Sequence, residues 1–204
     1  MDPKGKLISS FFCVPDITGF TRLMANADID FTQEIIPSLL RKLIDTNILK
    51  MTVAEIEGDA IFFYRTGRLP NVSQVVKQCK LFYKVFKEYI LSLKDSHPES
   101  YSKHLIGGQL GLKVIIHYGK ISTTNIKGRT KLIGQDVIVV HKLLKNNVRE
   151  DEYILLSENY LKKINNYDPS NFFDWAKLKD GSETYEFIGE VKYKYIRLTP
   201  KTCL

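Results

Sequence analysis

The chain is poor in cysteine and arranges none of it in pairs. Cys13, Cys79 and Cys203 are the three cysteines in 204 residues, with no Cys-x-x-Cys spacing and no Cys/His cluster. That argues against a disulfide framework or a cysteine-held zinc. It suits a reducing compartment in which Cys13 and Cys79 are small buried apolar residues. No apolar run approaches the roughly 18–20 residues of a membrane-spanning helix. The opening Met1-Asp2-Pro3-Lys4-Gly5-Lys6 has no signal-peptide architecture and leads directly into a strand pattern. The expectation is a cytoplasmic protein without a membrane partner. Low-complexity segments, linkers and internal repeats are also missing, so 1–204 is expected to be one domain. No Ser/His/Asp or Cys/His set suggests nucleophilic catalysis. Acidic charge is in deficit: 23 Asp and Glu against 30 Lys and Arg give a net charge of +7. The lysines are scattered rather than clustered. This speaks against a nucleic-acid surface and for a general attraction to polyanions such as a polyphosphate.

Hydrophobic patterning supplies the elements. Leu7 to Val14 reads as a buried strand closed by Pro15, and Ile17 to Asn26 as a short helix with Phe20, Leu23 and Met24 on one face. A second helix starts near Asp30, which pairs with Gln33 as a capping box, and Pro37 predicts a kink in it. Lys50 to Ile56 and Ala60 to Arg65 read as strands joined by a Glu57-Gly58-Asp59 turn. Asn71 to Leu93 is the strongest helix: Val75, Cys79, Phe82, Val85, Phe86, Tyr89 and Leu93 follow its spacing. Leu110 to Tyr118 and Lys120 to Ile126 read as a hairpin about Gly119. Val137 to Leu144 reads as a helix, Tyr153 to Leu156 as a strand, a helix follows from Glu158, and Phe172 to Leu198 closes with one or two strands. The expected class is α+β, a ferredoxin-like antiparallel sheet with helices packed on one face.

Two carboxylates carry the chemistry. Asp16 ends an apolar strand and is followed by Gly19 and a helix start, where free N–H groups and the positive dipole end favour anions. Taken alone, Asp16 is also what a helix N-cap requires. Glu55, Glu57 and Asp59 share a face if their strand stays regular through the turn, and three neighbouring carboxylates repel unless a cation lies among them. Taken alone, this is also an exposed hairpin tip. Oxygen ligands of this kind suit Mg²⁺ or Mn²⁺.

Phe12-x-x-x-Asp16-Ile17-x-Gly19-Phe20-Thr21, followed 43 residues after Asp16 by Asp59 in Gly58-Asp59-Ala60, resembles the catalytic domain of class III adenylyl/guanylyl cyclases. Leu112-Lys113-Val114-Ile115-Ile116-His117-Tyr118-Gly119 and Ile133-Gly134-Gln135-Asp136-Val137 resemble two further blocks of that family, in a divergent bacterial branch. The resemblance covers roughly residues 7 to 145. It implies a head-to-tail homodimer with active sites at the interface. Two divalent ions would be held by Asp16, Asp59 and the Ile17 carbonyl. Thr18, Gly19, Phe20 and Thr21 would cradle the phosphates. The product would be a 3′,5′-cyclic nucleotide.

The resemblance also assigns the base. Glu55 stands where the family reads it, with Lys for adenine and Glu for guanine, which favours GTP over ATP. Lys131 stands at the second base position, in place of the adenylyl Asp or guanylyl Cys. Ile138 and Lys142 stand where the family carries Asn and Arg, so Lys142 is the expected transition-state cation, and a one-turn slip would offer Lys145 or Asn146. Lys192, or else Lys194, would reach the triphosphate. His117 is expected to be a satisfied strand histidine and Trp175 a core residue. Two readings follow: a nucleotidyl cyclase, or a degenerate homologue that senses nucleotide or metal or serves dimerisation.

Overall fold

The computed structural model describes residues 7–164, 173 and 175–199. Its spine is β1 (Ile8–Thr18), which lies between β3 (Ala60–Thr66) and β4 (Gly111–Ile126). Alternate residues of β1 enter two cores, Phe11, Cys13 and Ile17 on one face and Phe12 and Val14 on the other. A strand buried on both faces reads as a continuous apolar run, which explains the unbroken pattern in the sequence. β2 (Thr52–Glu57) flanks β3. β6 (Tyr153–Ser157), β8 (Gly189–Arg197) and β7 (Lys179–Tyr185) continue the sheet beyond β4 in that order. Pairing is antiparallel except between β4 and β6. β5 (Arg129–Ile133) pairs with the outer half of β4.

One face of the sheet carries α1 (Phe20–Asn26), α2 (Ile29–Asp45), α3 (Val72–Ser96) and α6 (Glu158–Lys163), with α4 (Pro98–His104) beside α3. The expected α+β sheet with helices packed on it is what forms, but not with helices on one face alone. α5 (Gln135–Leu143) buries Val139, Val140 and Leu143 against the opposite face. The strongest helical pattern is capped as its sequence demands: Asn71 accepts from the Gln74 backbone while the Gln74 side chain accepts from the Asn71 backbone.

Local departures from the sequence reading have physical causes. Pro15 does not end β1. It lacks an N–H, and the ladder to β3 skips Val14 and Pro15, while the ladder to β4 runs unbroken from Ile8 to Thr18. The first helix therefore starts at Phe20, after Gly19 in the left-handed region (φ 81°). α2 begins after Asp28, whose side chain makes no capping bond, so the Asp30–Gln33 box does not form. Gly119 is not a turn but lies inside the 16-residue β4; the hairpin is at Lys127-Gly128, both with positive φ (49° and 82°). Cys13 and Cys79 are buried and free. Cys203, Phe172 and Asp174 lie outside the described residues. Trp175 packs at the core margin and donates to the Arg197 carbonyl at 2.9 Å. No helix among the described residues is long and apolar enough to cross a membrane.

Gly119 is required for a different reason. A Cβ there would lie 2.1 Å from Asp136 Cγ. Asp136 accepts from the Lys120 backbone N–H at 2.6 Å and meets His117 Nε2 at 3.0 Å, while His117 Nδ1 meets Ser157 Oγ at 2.8 Å. His117 is thus the satisfied strand histidine expected, and it ties β4 and β6 to the start of α5. Gly119→Ala should cost about 2 kcal/mol in urea unfolding, by overpacking. The loss should shrink markedly in an Asp136→Ser background, because the clash is with that side chain.

Candidate functional site

The register of three strands creates the site. Asp16 pairs with Ala60 on one side and Lys113 on the other, and Asp59 closes the two-residue turn just before Ala60. Gly58, with φ of 61°, makes that turn possible. The two aspartates are thereby in side-chain contact and line one cavity of about 630 Å³. Ile17, Thr18, Gly19, Phe20, Thr21 and Glu57 line it as well. Asp16 is not a helix cap: it lies within β1, and Gly19 holds the cap position of α1.

Electrostatics mark the pair as strained. Burial, and then the charge and hydrogen bond of Asp16, push the Asp59 carboxyl up to about 7. Lys113 offsets part of this: its Nζ is 3.0 Å from Asp16 Oδ2 and donates to the Leu144 carbonyl at 2.8 Å. Sequence reading passed over Lys113, although strand alternation with Ile115 and His117 gave its face. Lys145, from the turn after α5, also lines the cavity. An all-oxygen carboxylate pair in need of positive charge fits a hard divalent cation such as Mg²⁺ or Mn²⁺. The turn is rigidly placed: Thr18 Oγ1 donates to the Asp151 carbonyl at 2.8 Å and Arg22 Nη2 to the Gln109 carbonyl at 2.5 Å. A Cβ on Gly19 would lie 2.0 Å from that Gln109 oxygen.

Other predicted residues sit elsewhere in the chain. Glu55 and Lys131 do meet, with Lys131 Nζ 2.7 Å from Glu55 Oε2, but outside the cavity lining. The hydrogen bond to Glu55 holds the Lys131 ammonium above its ordinary value. Lys142 is absent from the cavity lining; its ammonium lies over the Tyr185 ring, 6.0 Å from the centroid. Ile138 is 52% exposed. Lys192 pairs with Glu190 and lines a separate cavity of about 210 Å³ beside His117 and Asp136. Lys194 pairs with Asp180. Burial would raise the Asp136 carboxyl, but hydrogen bonds from His117, the Lys120 N–H and Asn159 hold it below the usual range.

Residues 36–153 match the profile of the family described as "Protein of unknown function (DUF2652)", so the chain belongs to that family. The uncharacterized protein Rv2561/Rv2562 of Mycobacterium tuberculosis is 32% identical over 124 residues, 59% of this chain. The match spans 56% of that relative, so the chain accounts for little more than half its length. The fold is that of class III cyclase catalytic domains. The guanylyl cyclase Cya2 superposes with a TM-score of 0.68 at 13% identity, over 96% of this chain and 95% of that one. The adenylyl cyclase CyaB from P. aeruginosa gives 0.60 at 14% identity, over 96% and 97%. The guanylate cyclase domain of RhGC from Catenaria anguillulae, solved in complex with GTP, gives 0.60 at 12% identity, over 94% and 97%.

The aspartate pair gives the metal-free protein a pH signature. Because the folded protein keeps a proton on Asp59 up to about pH 7, its contribution to stability is full below the ordinary carboxylate range. That contribution is lost as pH rises toward about 7, where the ionised pair repels. Asp59→Asn should therefore be more stable than wild type at pH 8 by about 1–2 kcal/mol after solvent screening, and closely matched to it at pH 4. Thermal melts of both proteins in EDTA across that range check this. A wild-type melting temperature that does not fall with rising pH would contradict it.

Proposed function

We propose that the cavity binds a purine nucleoside triphosphate with divalent metal and that the protein is a nucleotidyl cyclase favouring GTP. The observation that carries this reading is the contact between Asp16 and Asp59 beneath the Thr18–Thr21 turn. Asp16, Asp59 and the Ile17 carbonyl would hold two ions, Mg²⁺ or Mn²⁺, which when bound neutralise the triphosphate and acidify the ribose 3′-hydroxyl. The chain's own groups do the rest. Backbone amides of Thr18 to Thr21 meet the phosphate oxygens, and Lys113 and Lys145 add fixed positive charge on the same cavity wall. The 3′-oxygen bonds to the α-phosphorus as the bond to the β-phosphate oxygen breaks, leaving pyrophosphate and the 3′,5′-cyclic nucleotide. Glu55 accepts from guanine N1–H and N2–H₂, donors that adenine lacks at those positions.

Glu55 and Lys131 do not line the cavity of their own chain, and in this reading the site is completed across a head-to-tail homodimer. Ile56, Ile133 and Ile138, each about half exposed, supply apolar area for that contact near the base-reading residues (48, 52 and 52%). A second reading, a homologue that binds nucleotide without turning it over, is favoured by Ile138, which cannot orient a ribose by hydrogen bonding, and by Lys142 lying over Tyr185.

Incubation of the purified protein with Mn²⁺ and each of the four triphosphates, resolved by chromatography, tests the first reading. Cyclic GMP should exceed cyclic AMP, and Asp59→Asn should lower the rate about hundred-fold or more. Calorimetric binding of GTP·Mn²⁺ with no cyclic product would establish the second reading. Absence of any triphosphate binding would remove both.

A further inference from the structure

A second group of ligand-type side chains lies between β2 and α5. Glu55 and Glu57 are two residues apart on β2 and project to the same face. Their cross-strand partners, Phe62 and Ala60, belong to the core covered by α5. A register shift between Val53 and Glu55 sets that face. His141 of α5 meets both acids, with Nδ1 3.2 Å from Glu57 Oε2 and Nε2 3.7 Å from Glu55 Oε1. One ligand atom from each of the three residues lies within 4.8 Å of the other two.

Three features distinguish this group from a solvated cluster of acids. It contains an imidazole. That ring is stacked on Phe62, with centroids 4.2 Å apart and planes at 26°, so apolar packing as well as its charged neighbours sets its orientation. The donors also come from a strand and a helix rather than from loops, and rigid elements hold ligand geometry best. Lys131 engages the far oxygen of Glu55 at 2.7 Å, which leaves Oε1 and the Glu57 carboxylate directed at His141.

We propose that Glu55, Glu57 and His141 form a binding site for a transition-metal dication of the zinc class, beside the Asp16–Asp59 pair, whose cavity Glu57 also lines. One nitrogen and two carboxylate oxygens, with water in the remaining position, match the preference of Zn²⁺. Mg²⁺ takes oxygen ligands in strict octahedral geometry and keeps much of its water, so it belongs at the all-oxygen aspartates. The two sites thus differ in donor chemistry; this inference rests on the proposed function only in sharing Glu55, and a zinc-bound Glu55 does not read guanine.

The test uses the full chain stripped with EDTA and titrated with Zn²⁺ in the calorimeter, with Mg²⁺ in large excess. One saturable Zn²⁺ event is expected. It should persist in the Asp16→Asn/Asp59→Asn double variant, weaken about tenfold or more in Glu57→Gln, and vanish in His141→Ala. Because His141→Ala also removes a ring packed on Phe62, imidazole ¹⁵N NMR of the wild type gives a second readout. Zn²⁺ should shift the resonances of a single histidine, and His141→Gln should identify it. Wild-type protein that takes up no Zn²⁺ against Mg²⁺, or a Zn²⁺ event unchanged in His141→Ala and His141→Gln, overturns the proposal. So does an event lost only with the aspartates. His141 belongs neither to the aspartate pair nor to the cavity lining, so His141→Ala and His141→Gln test this inference alone, while an event lost only with the aspartates places the zinc at the pair.

Discussion

Two carboxylates that repel each other are held together by backbone register, and the proposed chemistry depends on that contact. β1 is clamped on both sides by ladders that leave no freedom to slip, because a one-residue shift would exchange the two cores that its alternate residues fill. Asp16 is therefore fixed by the burial of Phe11, Phe12, Cys13, Val14 and Ile17. Asp59 is fixed by the tight turn that precedes Ala60. The repulsion is offset in part by Lys113 from the third strand, and the remainder appears as the raised affinity of Asp59 for a proton. The proton that Asp59 keeps up to about pH 7 and a divalent cation relieve the same repulsion.

Around this pair the chain distributes its functional groups on two fronts. The cavity gathers the aspartates, the Thr18–Thr21 turn, Lys113 and Lys145. The edge formed by β2, β5 and α5 gathers Glu55, Lys131 and His141, and Glu57 lies between the two, lining the cavity and facing His141. The position of α5 is set from below by Asp136, which reaches His117 and the Lys120 amide in space that only glycine at position 119 leaves open. Two sequence blocks, Ile116-His117-Tyr118-Gly119 and Gly134-Gln135-Asp136, thus describe one structural joint between β4 and α5.

Much of this was legible in the sequence. The contact of Asp16 with Asp59 follows from where two apolar runs end, and α3 announces itself by its apolar spacing. What was not legible has specific reasons. Pro15 is a normal strand terminator, yet a strand with neighbours on both sides can lose pairing on one side and persist on the other. Gly119 carries the signature of a turn, but its small size serves a side chain 17 residues later in the chain. The hairpin at Lys127-Gly128 has a lysine in the left-handed region, a position where sequence patterns look for Asn or Asp. Strand alternation gave the face of Lys113 but not its partner, Lys145 reaches the cavity by tertiary placement that no local pattern encodes, and α5 covers the second face because the strands are apolar on both.

The most direct test is anomalous scattering at the manganese edge from crystals grown with Mn²⁺ and a non-hydrolysable GTP analogue. The account predicts manganese at the Asp16 and Asp59 carboxylates, with the triphosphate against Thr18 to Thr21. A peak elsewhere, or carboxylates that stay paired only with Lys113 while the nucleotide binds at another surface, would contradict it.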